Sequence, residues 1–342
     1  MVRIKLSLLS SVLFLCAGAA ASEKLPQLSA DADAVSVSGL SSGAFMAEQY
    51  QVAYSASIVG AGIVAGGPYY CAMGSVLNAL RCMGQYEWFP PNSDLLWMLT
   101  RQDAKDKKID PVKNLKARRI YIFSGTADTK VRPLAVDATA RFFENAGLPS
   151  SNLVYVNTVA AGHALVTPRA GNDCAENETP FINHCAVAGK EYDQPGEILA
   201  HIYGALKPPV EADKANLLTF DQREFAAEKT SMAKDAFTYI PAQCGKGGCR
   251  VHVVFHGCKQ SPEKIGDRFY WQTSYNAWAG SNNIIILYPQ VVPSAPLNQD
   301  GCWDWYGYSG WDYAYKSGPQ MQAVARMIKR LTMPLKPPRP PG

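Results

Sequence analysis

The sequence predicts an α/β fold with a mostly parallel central sheet flanked by helices. Short apolar strand patterns alternate with helical patterns along most of the chain, which is typical of parallel strands joined by helical crossovers. Polar residues follow several of these strands at their carboxyl ends, where such sheets place their functional groups. The cysteine content adds a third expectation, which is that disulfides stabilise the fold.

Residues 1–21 are predicted to form a secretory signal peptide. Two basic residues precede an apolar run over 6–17, and small residues follow it, as at a signal cleavage site. Cys16 follows Leu15 rather than the small residue that a lipid anchor requires. No later run approaches the roughly 20 apolar residues of a membrane span. We therefore expect a secreted protein, extracellular or periplasmic, with no membrane anchor.

Residues 22–334 are predicted to form one catalytic domain, since this length buries a substantial core. The Pro-rich tail over 335–342 is expected to be disordered. The formal net charge is +4 with 18% charged residues, which is too mild for a nucleic-acid-binding surface. We expect a monomer that binds no nucleic acid.

Eight cysteines remain once Cys16 leaves with the signal peptide, and an even number in an exported chain predicts disulfides. Zinc binding is the alternative, but the sequence contains neither a C-x-x-C pair nor clustered histidines, so no metal is expected. Many connectivities are possible. Short spacings favour three pairs, Cys71 with Cys82, Cys174 with Cys185 and Cys244 with Cys249, and these leave Cys258 to pair with Cys302.

The stretch VSVSGLSSGAFM, 35–46, predicts a nucleophile elbow. An alternating strand pattern meets a helical pattern at GLSSG, 39–43, which matches G-x-S-x-G. This motif presents a serine on a sharp turn between a strand and a helix, and its glycines leave space where the two elements nearly touch. Ser41 is therefore the candidate nucleophile. The alternative is a Ser/Gly-rich turn that only caps a helix.

The remaining elements follow in order along the chain. Further strands are predicted from apolar runs over 57–66, 118–123, 154–159, 217–220, 237–240, 251–255 and 283–288. Helices are predicted from their periodicity and end signals over 44–54, 135–145, 196–206, 270–279 and 320–331. Two segments that each contain two cysteines are predicted to be irregular, 69–92 and 168–194.

Two predicted strands end in residues that complete an acyl-transfer site with Ser41. A serine hydroxyl needs a base to accept its proton and an acid to orient that base. Asp128 and His163 each follow a strand, and together with Ser41 they give the Ser, Asp, His order of α/β-hydrolases. Asp137 and Asp173 are the alternative acids. Because parallel strands end at the same edge of a sheet, we expect the three residues to meet there.

His256 is the main competitor for the role of base. Its His-Gly-Cys setting after strand 251–255 fits an oxyanion turn better, because backbone N–H groups hold the developing charge in such turns. The expected donors are the N–H groups of Ser42 and Cys258. The strand before an oxyanion turn ordinarily precedes the nucleophile, whereas here it follows far downstream. We therefore predict a circularly permuted α/β-hydrolase fold, which requires neighbouring chain ends.

Four motifs, GLSSGAFM, SGTADTKV, AAGHAL and VVFHGCKQ, resemble those of the single-domain, circularly permuted extracellular poly(3-hydroxybutyrate) depolymerases. The resemblance spans nearly the whole mature chain. It implies Ser41 as nucleophile, Asp128 as acid and His163 as base. It also implies the amides of Ser42 and Cys258 as oxyanion donors. The implied activity is hydrolysis of ester bonds in a short-chain polyhydroxyalkanoate, with no cofactor. Many relatives carry a separate polymer-binding domain, and none is expected in this sequence.

An aromatic run over 302–315 is the candidate substrate-binding wall. An uncharged aliphatic polyester suits a cleft of aromatic faces with a few hydrogen-bond donors. The candidates are Trp303, Trp305 and Tyr306. Trp303 is favoured, because the expected bridge from Cys258 would hold it near the oxyanion turn. The alternative is that these aromatic residues belong to the core.

Two other functions remain open at the level of sequence. A different exported esterase, such as a feruloyl or acetyl-polysaccharide esterase, shares the elbow motif, because leaving-group preference depends on the cleft. A non-catalytic polymer-binding or glycan-binding protein is the third hypothesis. The expected partner is a polyester polymer or oligomer.

Overall fold

The computed structural model describes residues 23–227 and 230–335. The predicted signal peptide, 1–21, and the tail from 336 onward lie outside these ranges. Within them, no helix has both the length and the apolar character needed to cross a membrane. The buried hydrophobic side chains of the described residues form one contiguous core around a central sheet.

The bounds of the strands agree with most of the predicted apolar runs. In chain order they are β1 (Val35–Leu40), β2 (Ile58–Val64), β3 (Arg119–Phe123), β4 (Leu153–Val156), β5 (Leu165–Thr167), β6 (Asn172–Asp173), β7 (Ile182–His184), β8 (Ala186–Val187), β9 (Lys190–Glu191), β10 (Leu217–Asp221), β11 (Asp235–Tyr239), β12 (Arg250–Phe255) and β13 (Ile284–Tyr288).

The α-helices connect these strands. They are α1 (Ser42–Ala53), α2 (Val76–Cys82), α3 (Ser93–Lys105), α4 (Pro133–Asn145), α5 (Gln194–Tyr203), α6 (Pro262–Ile265), α7 (Arg268–Gln272), α8 (Tyr275–Asn282) and α9 (Pro319–Thr332). Helix α9 begins with a proline at its first position, which suits the fixed φ of that residue. It buries Met321, Val324 and Met327, which recur at helical spacing on one face.

The large sheet of the described chain has the strand order β10-β11-β13-β12-β1-β2-β3-β4. The six strands from β13 to β4 are parallel, and β10 and β11 pair in antiparallel fashion at one edge. Strand β1 lies in the middle, between β12 and β2. The predicted mostly parallel α/β fold is thus confirmed.

The two ends of the described chain lie side by side. The backbone N–H groups of Leu28 and Ala30 both donate to the carbonyl of Leu331, each at 3.1 Å. The N–H of Leu335 donates to the Ser29 hydroxyl at 2.8 Å. A chain whose first strand is central and whose ends touch has the arrangement that a circular permutation requires.

Three predicted elements differ from the structure. The segment 168–194, predicted as irregular, contains the short strands β6, β7, β8 and β9. The segment 69–92, predicted as a loop, contains α2. This helix begins at Val76, and Ser75 caps it, because its hydroxyl accepts the backbone N–H of Asn78. The predicted helix 270–279 is two helices, because Ser274 adopts a left-handed conformation with a φ of 60° between them. Helical periodicity alone does not reveal such a break.

The four disulfides of the structure join the same cysteine pairs that the sequence predicted. Cys71–Cys82 pins α2, and Cys244–Cys249 closes the turn before β12. The other two hold long loops that follow strands of the large sheet.

A polar layer lies beneath the face of the sheet that α5 and α8 cover. The ring nitrogens of His252 are 2.6 and 2.8 Å from the hydroxyls of Ser36 and Ser38 on the neighbouring strand. Those serines in turn bond the hydroxyls of Tyr203 and Tyr275. With each ring nitrogen partnered by a neutral hydroxyl, burial lowers the pKa of His252 to about 3.

This buried imidazole predicts an acid-sensitive fold. The unfolded chain protonates His252 near a pKa of about 6.5, whereas the folded protein keeps the ring neutral far below that pH. Its contribution to stability is therefore complete above about pH 6.5 and declines as the pH falls toward 3. The His252→Gln variant lacks this titrating group. In that interval the unfolding free energy of wild type should therefore fall more steeply with decreasing pH than that of the variant, by up to about 1.4 kcal/mol per pH unit. Urea unfolding at several pH values measures both slopes, and equal slopes would contradict the buried neutral ring.

Candidate active site

The turn between β1 and α1 holds Ser41 in a strained backbone conformation. Its φ is 57° and its ψ −123°, a region that non-glycine residues rarely adopt. A Cβ on Gly39 would lie 2.2 Å from the carbonyl oxygen of Gly43, and one on Gly43 would lie 2.2 Å from that of Phe255. The elbow therefore requires glycine at both positions, which explains the G-x-S-x-G spacing.

Asp128 and His163 form a buried pair at the carboxyl side of β3 and β4. His163 Nδ1 lies 2.8 Å from Asp128 Oδ2, while Asp128 Oδ1 accepts the backbone N–H groups of Lys130 and Val131 at 2.8 and 3.0 Å. Both carboxylate oxygens are thus engaged. With Nδ1–H donating to the carboxylate, Nε2 of His163 is the nitrogen that can accept a proton.

Asn177 ties together the loops that carry this pair. Its Oδ1 accepts the backbone N–H of His163 at 2.9 Å and that of Thr129 at 3.0 Å. Its Nδ2 donates to the carbonyls of Ala127 and Ala175 at 3.0 and 3.1 Å. Sequence reasoning missed Asn177, because it lies within the segment predicted as irregular. No strand end or motif marks it there.

Ser41 and His163 line one cleft of about 210 Å³ at this edge of the sheet. Phe181 closes one side, with its ring edge-on to the His163 ring at a centroid distance of 5.8 Å. The residues that line the cleft come from the elbow, the Asp128 and His163 loops and the turn after β12: Leu40, Ser41, Lys130, His163, Glu178, Thr179, Phe181, Gly257, Cys258, Lys259, Gln260 and Asp300.

The turn after β12 lies beside the elbow, as the predicted oxyanion turn should. A Cβ on Gly257 would be 3.3 Å from the Cβ of Ser41. The Gly257 N–H is already engaged by Gln260, whereas no described residue accepts a hydrogen bond from the N–H of Ser42 or Cys258. These two amides are the ones that the sequence nominates as oxyanion donors. Cys258 is bonded to Cys302, so its thiol takes no part in chemistry.

His256, the competing base, is fully buried and turned away from the cleft lining. Its Nδ1 lies 2.7 Å from the Gly257 carbonyl, and its Nε2 accepts the N–H of Val291 at 3.2 Å. Burial lowers the pKa of His256 to about 4, so the ring is neutral near pH 7. It packs the turn and has no nitrogen left for Ser41.

The alternative acids lie apart from His163. Asp137 is exposed on α4 and accepts the hydroxyl of Tyr155 at 2.6 Å. Asp173 is exposed and lies 3.9 Å from His184. Within 23–227 and 230–335, no group of three or more His, Cys, Asp or Glu residues is arranged to hold a metal ion.

The three aromatic candidates for the substrate wall do not line the cleft. Trp303, the favoured one, is 0% exposed, and its ring meets Phe255 edge-on at 4.9 Å. Trp305 is buried and stacks on Phe45 at 4.3 Å, and the hydroxyl of Tyr306 donates to a backbone carbonyl. In this structure Trp303 belongs to the core, which was the alternative to a substrate wall, since a fully covered ring offers no face to a substrate. Trp303 follows the bridged Cys302 and lies next to the elbow, where its backbone N–H donates to the Ser42 hydroxyl at 3.3 Å.

The sequence has relatives of known activity, although no protein-family model matches it. It is 42% identical over 319 residues to a poly(3-hydroxybutyrate) depolymerase of Delftia acidovorans, a match that covers 91% of this chain and 62% of that protein. It is 35% identical over 334 residues to a polyhydroxybutyrate depolymerase of Talaromyces funiculosus, covering 91% of this chain and 93% of that protein.

Solved structures agree with these sequence relationships. The crystal structure of a PHB depolymerase from Penicillium funiculosum matches with a TM-score of 0.82 and 33% identity over 91% of this chain and 99% of that one. A serine-to-alanine variant of a PHB depolymerase, complexed with an R3HB trimer, matches with a TM-score of 0.83 and 34% identity over the same shares. The chain belongs to the PHB depolymerase family.

Membership of the PHB depolymerase family confirms the resemblance and the fold class that the sequence predicted. The chain spans about 62% of the length of the Delftia relative and nearly the whole of the two solved structures. The motifs that carried the resemblance are the ones that the fold assembles at the cleft, namely the elbow, the two loops after β3 and β4, and the turn after β12.

The elbow geometry predicts that Gly43→Ala is strongly destabilising. The added methyl would lie 2.2 and 2.5 Å from the carbonyl oxygens of Phe255 and His256, and backbone atoms cannot move aside without disturbing β12. We expect a loss of at least about 3 kcal/mol. Gly245→Ala is the matched control, because its methyl meets nothing within 4 Å and should change stability by less than about 0.5 kcal/mol. Thermal and urea unfolding compare the two, and similar losses would refute the close approach.

Proposed function

We propose that this chain is a secreted serine hydrolase that cleaves the ester bonds of poly(3-hydroxybutyrate) or related short-chain polyhydroxyalkanoates. One observation carries the proposal: Ser41 of the elbow, His163 of a buried histidine-carboxylate pair and Cys258 of the turn after β12 line one cleft in a member of the PHB depolymerase family. The solved relative with an R3HB trimer supports a polyester oligomer as the substrate.

The proposed mechanism is two-step acyl transfer. As Ser41 Oγ attacks the ester carbonyl carbon, its proton passes to His163 Nε2, and Asp128 stabilises the imidazolium that forms. The N–H groups of Ser42 and Cys258 donate to the oxyanion. When the tetrahedral intermediate collapses, the ester C–O bond breaks, and the departing alkoxide oxygen takes the proton from His163 Nε2 and leaves as a hydroxyl. Water then attacks the acyl-Ser41 ester, gives a proton to His163, and releases the carboxylic acid as the serine regains its proton.

The proposed setting follows from the disulfides. Four disulfides link the described residues, and such bridges form and persist in oxidising compartments. We propose that residues 22–334 act as one secreted catalytic domain and as a monomer.

Clearing of an amorphous poly(3-hydroxybutyrate) suspension by the purified mature protein tests the function. We expect clearing and release of oligomers and monomer by wild type. Ser41→Ala should lose more than about a thousandfold in rate with its melting temperature retained, because the nucleophile is gone. An organophosphonate should label wild type on Ser41 and leave the variant unlabelled.

Parallel assays on feruloylated and acetylated xylan separate the substrate classes. Faster turnover of either xylan than of the polyester would replace the proposed substrate with a polysaccharide ester. Retention of more than a thousandth of the wild-type rate by Ser41→Ala would overturn the nucleophile assignment. Polymer binding without phosphonate labelling would support the non-catalytic hypothesis.

An exposed apolar patch next to the cleft supports contact with a water-insoluble substrate. Its members are large apolar side chains on α2, α3 and the loop between them: Val76, Leu77, Leu80, Tyr86, Trp88, Phe89, Leu95 and Met98. Trp88 is 90% exposed and Leu77 75%, and exposed apolar side chains that lie together mark interaction sites. The loop that carries Tyr86 and Trp88 approaches the cleft, because Gln85 donates to the carbonyl of Lys130, a residue that lines the cleft, at 2.8 Å.

We propose that this apolar patch adsorbs to the solid polyester. The double variant Leu77→Ser with Trp88→Ser should weaken adsorption to a poly(3-hydroxybutyrate) film by about tenfold or more, since burying such side chains contributes roughly 1.5–3 kcal/mol each. Its kcat/KM on a soluble ester should stay at the wild-type value. Val210→Ser is the control, because Val210 is an exposed apolar residue outside the patch. Equal adsorption by all three proteins would refute the role of the patch.

A further inference from the structure

We infer that Gln260 is a positioning residue that aligns the oxyanion turn with the loop beside His163. The inference rests on the proposed function, because it concerns the same cleft. Gln260 lines that cleft, yet its side chain is almost fully buried and is not part of the Ser41, Asp128 and His163 set. Its inferred role depends on the backbone groups that its side-chain amide bonds.

The amide of Gln260 bonds two separate segments of the cleft. Its Oε1 accepts the N–H of Gly257 at 2.6 Å. Its Nε2 donates to the carbonyls of Pro180 and Phe181 at 2.7 and 3.2 Å. These partners also fix the orientation of the amide, because an N–H group requires the oxygen and two carbonyls require the nitrogen.

The first segment is the oxyanion turn, where Gly257 is held on both sides. Gln260 engages its N–H, and the Nδ1–H of neutral His256 donates to its carbonyl at 2.7 Å. The Gly257–Cys258 peptide is trans, so the Cys258 N–H points opposite to the Gly257 carbonyl. Holding that carbonyl toward His256 therefore directs the Cys258 N–H away from the buried ring and leaves it without a protein acceptor among the described residues.

The second segment is the loop over 179–181, which contacts the proposed base. Phe181 presents its ring to His163 in an edge-on contact at 5.8 Å. Through one buried amide, the backbone that carries an oxyanion donor is thus joined to the backbone that confines the imidazole. Buried polar groups need hydrogen-bond partners. Without this amide, one N–H and two carbonyls lose theirs, and both segments can shift to form other hydrogen bonds. Shifts of this kind act on rate more than on substrate affinity, since the oxyanion forms only in the transition state.

The variant Gln260→Met tests the inference, because methionine has a similar length and cannot form these hydrogen bonds. With p-nitrophenyl butyrate as substrate we expect kcat to fall by about 10-fold to 100-fold while KM stays within about twofold. The rate constant for phosphonylation of Ser41 should fall in parallel, because the phosphonyl oxygen carries negative charge in the pentacoordinate transition state and needs the same N–H donors.

Gln222→Met is the matched control. Gln222 is also fully buried. It likewise accepts one N–H, from Gln290 at 3.1 Å, and donates to two carbonyls, of Ala233 and Gln290, at 2.9 and 2.7 Å. None of these partners lines the cleft. Both variants lose the same kinds of bond, so we expect similar drops in melting temperature, with the fall in kcat confined to Gln260→Met.

Gln260→Glu provides a second variant should Gln260→Met fail to fold. It keeps an acceptor for the Gly257 N–H but turns a carboxylate oxygen toward the carbonyls of the loop over 179–181, so we expect that loop to shift and kcat to fall, again with KM retained. Wild-type kcat in either folded variant would overturn the inference, as would a rise in KM without loss of kcat, or an equal loss of kcat in Gln222→Met. Failure of the proposed function is a different result, namely a wild-type protein that turns over neither the polyester nor the soluble ester and resists phosphonylation.

Discussion

The close approach of the elbow to the end of β12 is the constraint on which the rest of the site depends. The Gly43 backbone passes so near the carbonyl of Phe255 that a single methyl group cannot fit between them. This approach exists because β1, near the start of the described chain, pairs in parallel with β12 from Val35 opposite Val251 to Gly39 opposite Phe255. The proposed nucleophile and the proposed oxyanion turn are thus brought together by the sheet itself. Neither half of the chain contains a complete cleft, so the site can form only when the two halves have paired.

Three buried histidines acquire different chemistry from their partners. His252 lies between two neutral hydroxyls, and His256 between a carbonyl and an amide, so burial lowers the pKa of both. His163 alone among the three has a carboxylate at hydrogen-bond distance. A buried carboxylate stabilises an imidazolium that forms during a reaction, whereas hydroxyl and carbonyl partners do so only weakly. The fold therefore supplies one imidazole that can take a proton and two that stay neutral.

The groups that bear the proposed chemistry were predictable from sequence because each occupies a position defined by local pattern. Ser41 lies within a strand-turn-helix motif, and Asp128 and His163 follow apolar strands of a parallel sheet, so period and order were sufficient. Asn177 and Gln260 were not predictable as partners, since their roles depend on loop carbonyls and amides that only the folded chain brings near. The choice between substrate wall and core for Trp303 stayed open for the same reason. The expected bridge between Cys258 and Cys302 indicated nearness to the turn but not the side on which the Trp303 ring would lie.

Loops, rather than helices or strands, carry most of the cleft, and an enzyme site on loops loses precision unless the loops are fixed. Two kinds of restraint act on the same segments here. Cys174–Cys185 closes the loop that contains Asn177, and Cys258–Cys302 anchors the oxyanion turn. A disulfide limits how far a loop can move but leaves its peptide planes free to rotate. The side-chain amides fix those planes, since each bonds backbone groups of two segments. Disulfides therefore limit the position of a loop, whereas side-chain amides fix the orientation of its peptide planes. The orientation of the proposed oxyanion donor depends on the amides.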